Sequence, residues 1–334
     1  MSVHSRIERF CRAQREGLSD LTIQVAGGQA GHRWIPVGVV GAYPSGNGRS
    51  LPSSVLMTVT PARVAGVTGV WLASPRPSPL TLAAGWVAGA DGLLRAGGAH
   101  AVAAMAFGTV SPPVDMIVGG GDRLVSAAKR HLYGEVGIDG LAGPGQIVVM
   151  ADSGANPALV AADLLAQAEQ DPDAVPALIA VSTELVDPVQ SELSRQVADL
   201  PTAEVARAAL GNGYYIVVDD FQHAAALSDA IAPDYLALHV ADPRAVAMLV
   251  RSYGSLLIGG TAAPAFVEQG AGPNHMLPTG GAARFQAGLS VMTFLKPSTW
   301  LSVDRPDELI EDSAQLARLE NLEAHARAAR ARER

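Results

Sequence analysis

The chain has 334 residues, of which 49% are hydrophobic and 17% charged, a balance that builds packed globular structure and excludes a disordered chain. The length suits two α/β domains. The net charge of −8 argues against a nucleic-acid partner, because phosphate binding needs a basic surface.

Residues 1–14 mix charged and polar side chains without an apolar stretch, so no secretory signal is expected there. Cys11 is the only cysteine, which rules out an intrachain disulfide and a Cys-based zinc knuckle. No uncharged apolar run approaches the ~20 residues of a membrane helix. The default expectation is a cytoplasmic protein with no membrane partner.

Short Val/Ile/Leu-rich runs then recur with helical patterns between them. The first set is predicted at 37–43, 69–73, 92–95 and 116–118, the second at 146–150, 177–182, 214–218, 235–240 and 254–258. Runs without alternation suit strands buried on both faces of a parallel sheet, and the βαβα rhythm predicts two doubly wound, incomplete Rossmann-like sheets. Ala142-Gly143-Pro144-Gly145 reads as the crossing between them. Residues 38–144 are assigned to the first domain, and 1–37 with 145–290 to the second.

Gly27-Gly28-Gln29-Ala30-Gly31 has the wrong spacing for a dinucleotide fingerprint. Gly119-Gly120-Gly121-Asp122 follows a strand and opens a helix, where backbone N–H groups can meet a phosphate. Asn156 and Pro157 start a helix well, as N-cap and first helical residue. On that helix Asp163, Gln167 and Gln170 share one face, which read alone is a solvated face. The βα rhythm stops near Leu295, and residues 291–334 are taken as a C-terminal helical segment that packs on a partner subunit. The basic stretch at 327–334 reads as cations complementing that helix's dipole.

Several segments in this order resemble the histidinol dehydrogenase family. They include Pro52-Ser53-Ser54-Val55-Leu56-Met57, Gly97-Gly98-Ala99-His100-Ala101-Val102 and Gly134-Glu135-Val136-Gly137-Ile138-Asp139. Ala161-Ala162-Asp163-Leu164-Leu165-Ala166-Gln167, Gly272-Pro273-Asn274-His275 and Leu322-Glu323-Ala324-His325-Ala326 complete the set. The resemblance runs from about Ile7 to Arg327. It implies two-step, NAD-dependent oxidation of an amino alcohol to an amino acid, in two Rossmann-like domains and an intertwined homodimer. The family carries a longer N-terminal region than this chain, so the dimer wrapping is expected to differ.

The resemblance also implies site residues. The cofactor positions fall on Tyr43, His100 and Asp122, where the family has tyrosine, glutamine and asparagine. Asp122 suits ribose hydroxyls but repels an added phosphate, so NAD is expected over NADP. The family's zinc positions fall on Gln167, Gln170, Glu268 and His325. Gln170 replaces a histidine and Glu268 an aspartate, so tightly bound zinc is not expected and these residues are assigned to substrate, with Glu320. The family's Glu-His acid–base pair reads Asp234-Tyr235, with His275 retained, and Gly145 stands where the family has serine. A tyrosine with an ordinary pKa of about 10 is a poor base and a competent proton donor.

These departures lead to an NAD-linked oxidoreductase acting on a small polar substrate other than histidinol, in one two-electron step or as a reductase, with Tyr235 as donor. Two alternatives stay open: a non-catalytic paralogue that binds a ligand in the old cleft, and a non-redox enzyme that reuses it.

Overall fold

A computed structural model describes residues 2–46 and 49–333 of the chain. Met1 and Arg334, the outer ends of the two terminal segments discussed above, lie outside the described residues. All nine predicted strands form, within a few residues of the expected bounds.

The first sheet holds β3 (Val39–Ala42), β6 (Gly69–Ala73), β7 (Gly92–Leu94), β8 (Met116–Val118) and β9 (Gly137–Ile138), in the order β7-β6-β3-β8-β9 and all parallel. The second holds β10 (Gln146–Ala151), β11 (Val175–Ala180), β12 (Tyr214–Val217), β13 (Tyr235–His239) and β14 (Ser255–Ile258), in the order β12-β11-β10-β13-β14 and again parallel. Counted within each unit, both sheets therefore run 3-2-1-4-5, the doubly wound arrangement whose strand order reverses beside the first strand.

Helices cover both faces of each sheet. Those after the first sheet's strands are α2 (Pro52–Ala65), α3 (Pro79–Ala88), α4 (Gly98–Phe107) and α5 (Arg123–Leu132). The second unit uses α6 (Pro157–Ala168), α7 (Val186–Ala198), α8 (Ala203–Leu210), α9 (Phe221–Ile231), α10 (Pro243–Ala247) and α11 (Pro264–Glu268). Alternate residues of β10 feed opposite layers: Ile147, Val149 and Ala151 join one core, Val148 and Met150 the other. Burial on both faces is why these strands carry unbroken apolar runs.

The N-terminal segment departs from the expected grouping. Helix α1 (Val3–Glu16) buries Ile7 and Cys11 in the first unit's core, beside Val55 and Val59 of α2, so residues 1–37 do not simply belong with the second domain. Its amphipathic face needs an apolar partner, and α2 supplies one.

A third sheet was not foreseen. Strands β1 (Leu21–Val25), β2 (Gly28–Pro36) and β15 (Leu295–Val303) form an antiparallel ribbon, and the glycine-rich stretch supplies its hairpin turn, Ala26-Gly27. Gly27 takes a positive φ of 68°, and a Cβ there or on Gly28 would strike the backbone of the 302–305 segment. A short antiparallel hairpin, β4 (Ser45–Gly46) with β5 (Arg49–Ser50), precedes α2. After β15, α12 (Asp307–Leu319) and α13 (Glu323–Arg330) fold on each other around Ala314, Ala317 and Ala326. The C-terminal segment is thus a strand followed by two helices. Among the described residues no helix is long and apolar enough to cross a membrane.

Candidate active site

The cofactor positions gather at the carboxyl ends of β3 and β8, where the first sheet's strand order reverses. Tyr43 follows β3 and is buried; its hydroxyl accepts a hydrogen bond of 2.9 Å from Gly98 N, at the start of α4. His100 lies in the first turn of α4, exposed. Asp122 is the N-cap of α5 and accepts from Val125 N at 2.9 Å, leaving the rest of its exposed carboxylate to solvent.

Between β8 and α5, Gly119 holds a φ of 102°, and a Cβ on it would drive into the Tyr43 carbonyl. A Cβ on Gly121 would sit 2.5 Å from Val125 side-chain atoms. The turn has room for backbone alone, the shape a helix-opening phosphate cradle needs. These residues fit a dinucleotide.

The second group of residues lies at the opposite, amino-terminal end of β10 and β13. Tyr235 opens β13, buried, and donates a hydrogen bond of 2.6 Å to Glu268 Oε1 at the end of α11. Glu268 also meets His275: His275 Nδ1 stands 3.0 Å from the Glu268 carbonyl oxygen and 3.3 Å from Oε2. Two acceptors at Nδ1 place the ring proton there, so Nε2 is an acceptor. Ser54 Oγ, in the first turn of α2, lies 3.2 Å from that Nε2. The run Ser54–His275–Glu268–Tyr235 therefore joins the two sheet units through side chains.

Asp234 sits beside this run. One carboxylate oxygen, Oδ2, accepts from Gln146 N at 2.9 Å, while Oδ1 is buried without a hydrogen-bond partner. Burial is the main reason its pKa is pushed up to about 7; the negative Glu268 adds to the shift, while the Gln146 amide opposes it. Burial, then the charge on Glu268, hold the Tyr235 hydroxyl well above the ordinary tyrosine value. The cation that would make Tyr235 a base is replaced by an anion, so Tyr235 stays a neutral donor.

Gln167 completes the wall. Its Oε1 is buried without a partner, and its amide occupies the space beside Gly145 that a Cβ would need. Glycine at 145 admits the Gln167 amide. The expected solvated face of α6 is corrected: Asp163 and Gln167 are buried at 7% and 3% exposure, and Asp163 pairs with His239 at 2.8 Å. The helix ends at Ala168, so Gln170 lies just past it, in the turn where its N–H bonds the Gln167 carbonyl.

Glu320 and His325 are not brought to this cluster within one chain. Both are exposed, at the end of α12 and on α13. Sequence reasoning singled out Gly145 but passed over Ser54 as a functional neighbour of the cluster. The Pro52-Ser53-Ser54 helix start was the available signal for Ser54, but nothing local tells that it faces His275, 221 residues away.

The fold and its two residue clusters define an α/β protein of two doubly wound sheets with a dinucleotide-type turn on one and a buried acid–imidazole cluster on the other. The histidinol dehydrogenase family model matches residues 1–333, and the chain belongs to that family. It is 47% identical over 330 residues to a histidinol dehydrogenase of Thermus thermophilus, covering 98% of this chain and 80% of that one. A Parasynechococcus marenigrum histidinol dehydrogenase is 44% identical, with 98% of this chain and 77% of the other covered. The crystal structure of histidinol dehydrogenase from Elizabethkingia anophelis superimposes with a TM-score of 0.93 at 31% identity, over 99% of this chain and 78% of that one. An acetylating aldehyde dehydrogenase from Geobacillus thermoglucosidasius shares the fold alone, with a TM-score of 0.61 at 14% identity.

These findings overturn three expectations. Relatives at this identity and coverage carry the name histidinol dehydrogenase, which stands against a substrate other than histidinol and against an enzyme outside that activity. The same membership overturns the expectation of little or no zinc. Changes at single site positions do not outweigh a likeness that extends over the whole chain.

The residues present fit such a metal in part. The orphaned, buried Gln167 Oε1 and the Glu268 carboxylate stand on packed helices α6 and α11 as oxygen donors. The one imidazole among the four expected ligand positions, His325, is exposed on α13.

Proposed function

We propose that this chain is a histidinol dehydrogenase, oxidising histidinol to histidine with NAD. The observation that carries the reading is the run Ser54–His275–Glu268–Tyr235, buried at both ends, with Asp234 at its side, in a chain that matches the family throughout.

Tyr43, His100 and Asp122 would hold NAD, which would supply the hydride acceptor for the carbinol carbon at each oxidation. His275 Nε2 accepts the hydroxyl proton of the alcohol, exchanging it for the hydrogen bond that it shares with Ser54. Glu268 holds the ring by accepting from Nδ1 and is itself held by the Tyr235 hydroxyl. Asp234, poised near neutrality, takes a proton from the water that adds to the aldehyde, giving the hydrate that loses the second hydride. The balance is one alcohol, one water and two NAD converted to one carboxylate, two NADH and three protons. Gln167, Gln170 and Glu268, with His325 of a second copy, would hold zinc, which would supply a Lewis acid to orient the substrate.

The reading requires a homodimer, because Glu320 and His325 reach a site only in another copy. Exposed Leu316, Leu319 and Leu322 on the α12–α13 hairpin, with Leu21, Ile23 and Leu301 on the antiparallel ribbon, favour such pairing. We place the enzyme in the cytoplasm, where a lone buried thiol such as Cys11 stays reduced.

The test is NADH formation from histidinol by the zinc-supplied protein. Two NADH per histidine formed is the expected result. No NADH from histidinol, with NAD and histidinol both bound, would sink the reading.

A further inference from the structure

Lys129 is buried at 2% exposure on α5, and the reaction as derived does not use it. Its Nζ donates 2.5 Å to Asp139 Oδ1 and 2.8 Å to the Gly119 carbonyl oxygen. Asp139 Oδ2 in turn accepts from Gly119 N at 2.7 Å. Both polar groups of one glycine are thus gripped by the two halves of a single buried ion pair.

A buried ion pair is weak as a stabilising device, because desolvation consumes most of the attraction and apolar side chains of similar volume serve a core as well. Apolar side chains cannot hold the N–H and the C=O of Gly119 together. That glycine is the one with φ of 102° pressed against the Tyr43 carbonyl, where a small rotation would re-aim the next two peptides. Among the described residues neither Gly120 N nor Gly121 N has a protein acceptor, and a Cβ on Gly120 would meet only Ala142, at 3.9 Å. Both donors follow the clamp directly and precede the N-cap of α5, Asp122.

We propose that Lys129 and Asp139 are positioning residues for the cofactor: their clamp on the Gly119 peptide aims the N–H groups of Gly120 and Gly121 at the pyrophosphate of NAD. The inference rests on the cofactor reading above. Asp139 is also tied from the other unit, since Gln286 Nε2 donates to its carbonyl oxygen. The clamp therefore sits at the head of the 139–145 crossing that leads to Gly145 and the second cluster.

The test is NADH titration of the full chain, with steady-state KM values for NAD and for histidinol, on the unaltered protein and on Lys129→Met/Asp139→Leu. The double variant should keep its thermal midpoint, bind NADH at least about tenfold more weakly and raise KM for NAD alone. Near-isosteric Asp139→Asn, which breaks the pair without changing volume, should move NADH binding in the same direction. NADH affinity within about twofold of the unaltered protein in either folded variant would overturn the inference and leave the cofactor reading intact. Equal rises in both KM values would reduce the pair to a fold element and overturn it as well. If the unaltered protein binds no NADH, the cofactor reading itself fails and the inference goes with it.

Discussion

Asp234 is the residue whose environment most changes its chemistry. Burial lifts its pKa from 3.8 to about 7, so between those values the native chain holds a proton that the unfolded chain has released. Its contribution to stability is complete below the lower value and is lost as pH rises through the upper one. Asp234→Asn keeps an acceptor for Gln146 N and cannot ionise. Its thermal midpoint should gain on the unaltered protein as pH goes from about 5 to about 8; a constant difference would mean that the carboxyl is not buried as described. The same variant should lose oxidation of the aldehyde by about 10²–10⁴-fold while oxidation of the alcohol falls less, because another residue takes the first proton. Equal losses in single-turnover assays of the two half-reactions would remove Asp234 as the water-activating base. The identity of residue 234 was readable from the sequence, as a carboxylate next to a tyrosine. Its altered acidity was not, because the apolar walls come from β10 and β13, and the repelling charge from Glu268 on α11.

At the scale of elements, the turn from β8 into α5 and the helix α6 show different kinds of legibility. Gly119-Gly120-Gly121-Asp122 announced itself, since glycines followed by an N-capping aspartate between strand and helix have few other uses. Its requirement is local and steric. Gly119→Ala must place a Cβ against the Tyr43 carbonyl at a φ of 102°, which should cost about 1–3 kcal/mol of stability and most of the NADH affinity. A variant with unaltered NADH binding in calorimetry would take the turn out of the cofactor site. Helix α6 misled, because the spacing of Asp163, Gln167 and Gln170 defines a face without telling what covers it. What covers it is His239 at the end of β13 and the Gly145–Asp234 corner, both remote in sequence.

The whole molecule divides its candidate chemistry between opposite strand ends. The cofactor turn lies at the carboxyl end of the first sheet, at its switch point, as doubly wound sheets generally arrange it. The acid–imidazole cluster lies at the amino-terminal end of the second sheet. The second sheet's own switch point is filled instead by Asp152, which accepts from Gly154 N and Ala241 N, near the Asp163–His239 pair. The α12–α13 hairpin carries Glu320 and His325 away from the cluster of its own chain. If each site borrows the hairpin of another copy, a His325→Ala chain mixed and re-paired with an Asp234→Asn chain should recover about one quarter of the unaltered activity, since one site in half of the random dimers is then complete. No recovery, or a mass near the 34.4 kDa of one chain by light scattering, would refute a shared site.

What the sequence determined by itself is the α/β class, the positions of nine parallel strands, the glycine turn and the family. Each of these depends on local pattern: apolar runs buried on both faces, caps at helix starts, and motifs in a fixed order. The antiparallel ribbon escaped it because β1, β2 and β15 join residues 28–36 to 295–303 and expose much of their side-chain surface, so no apolar run marks them. The site's working state was decided by tertiary structure. That His275 presents Nε2 as an acceptor depends on the Glu268 carbonyl and on Ser54; that the Tyr235 hydroxyl is held above the ordinary tyrosine range depends on burial and then on the Glu268 anion reached through α11; that the Gln167 amide has room where it lies depends on a missing Cβ at Gly145. Acidity and tautomer are set by neighbours within a few ångströms, and in this chain those neighbours are brought together only when the two sheets and their crossing segment pack.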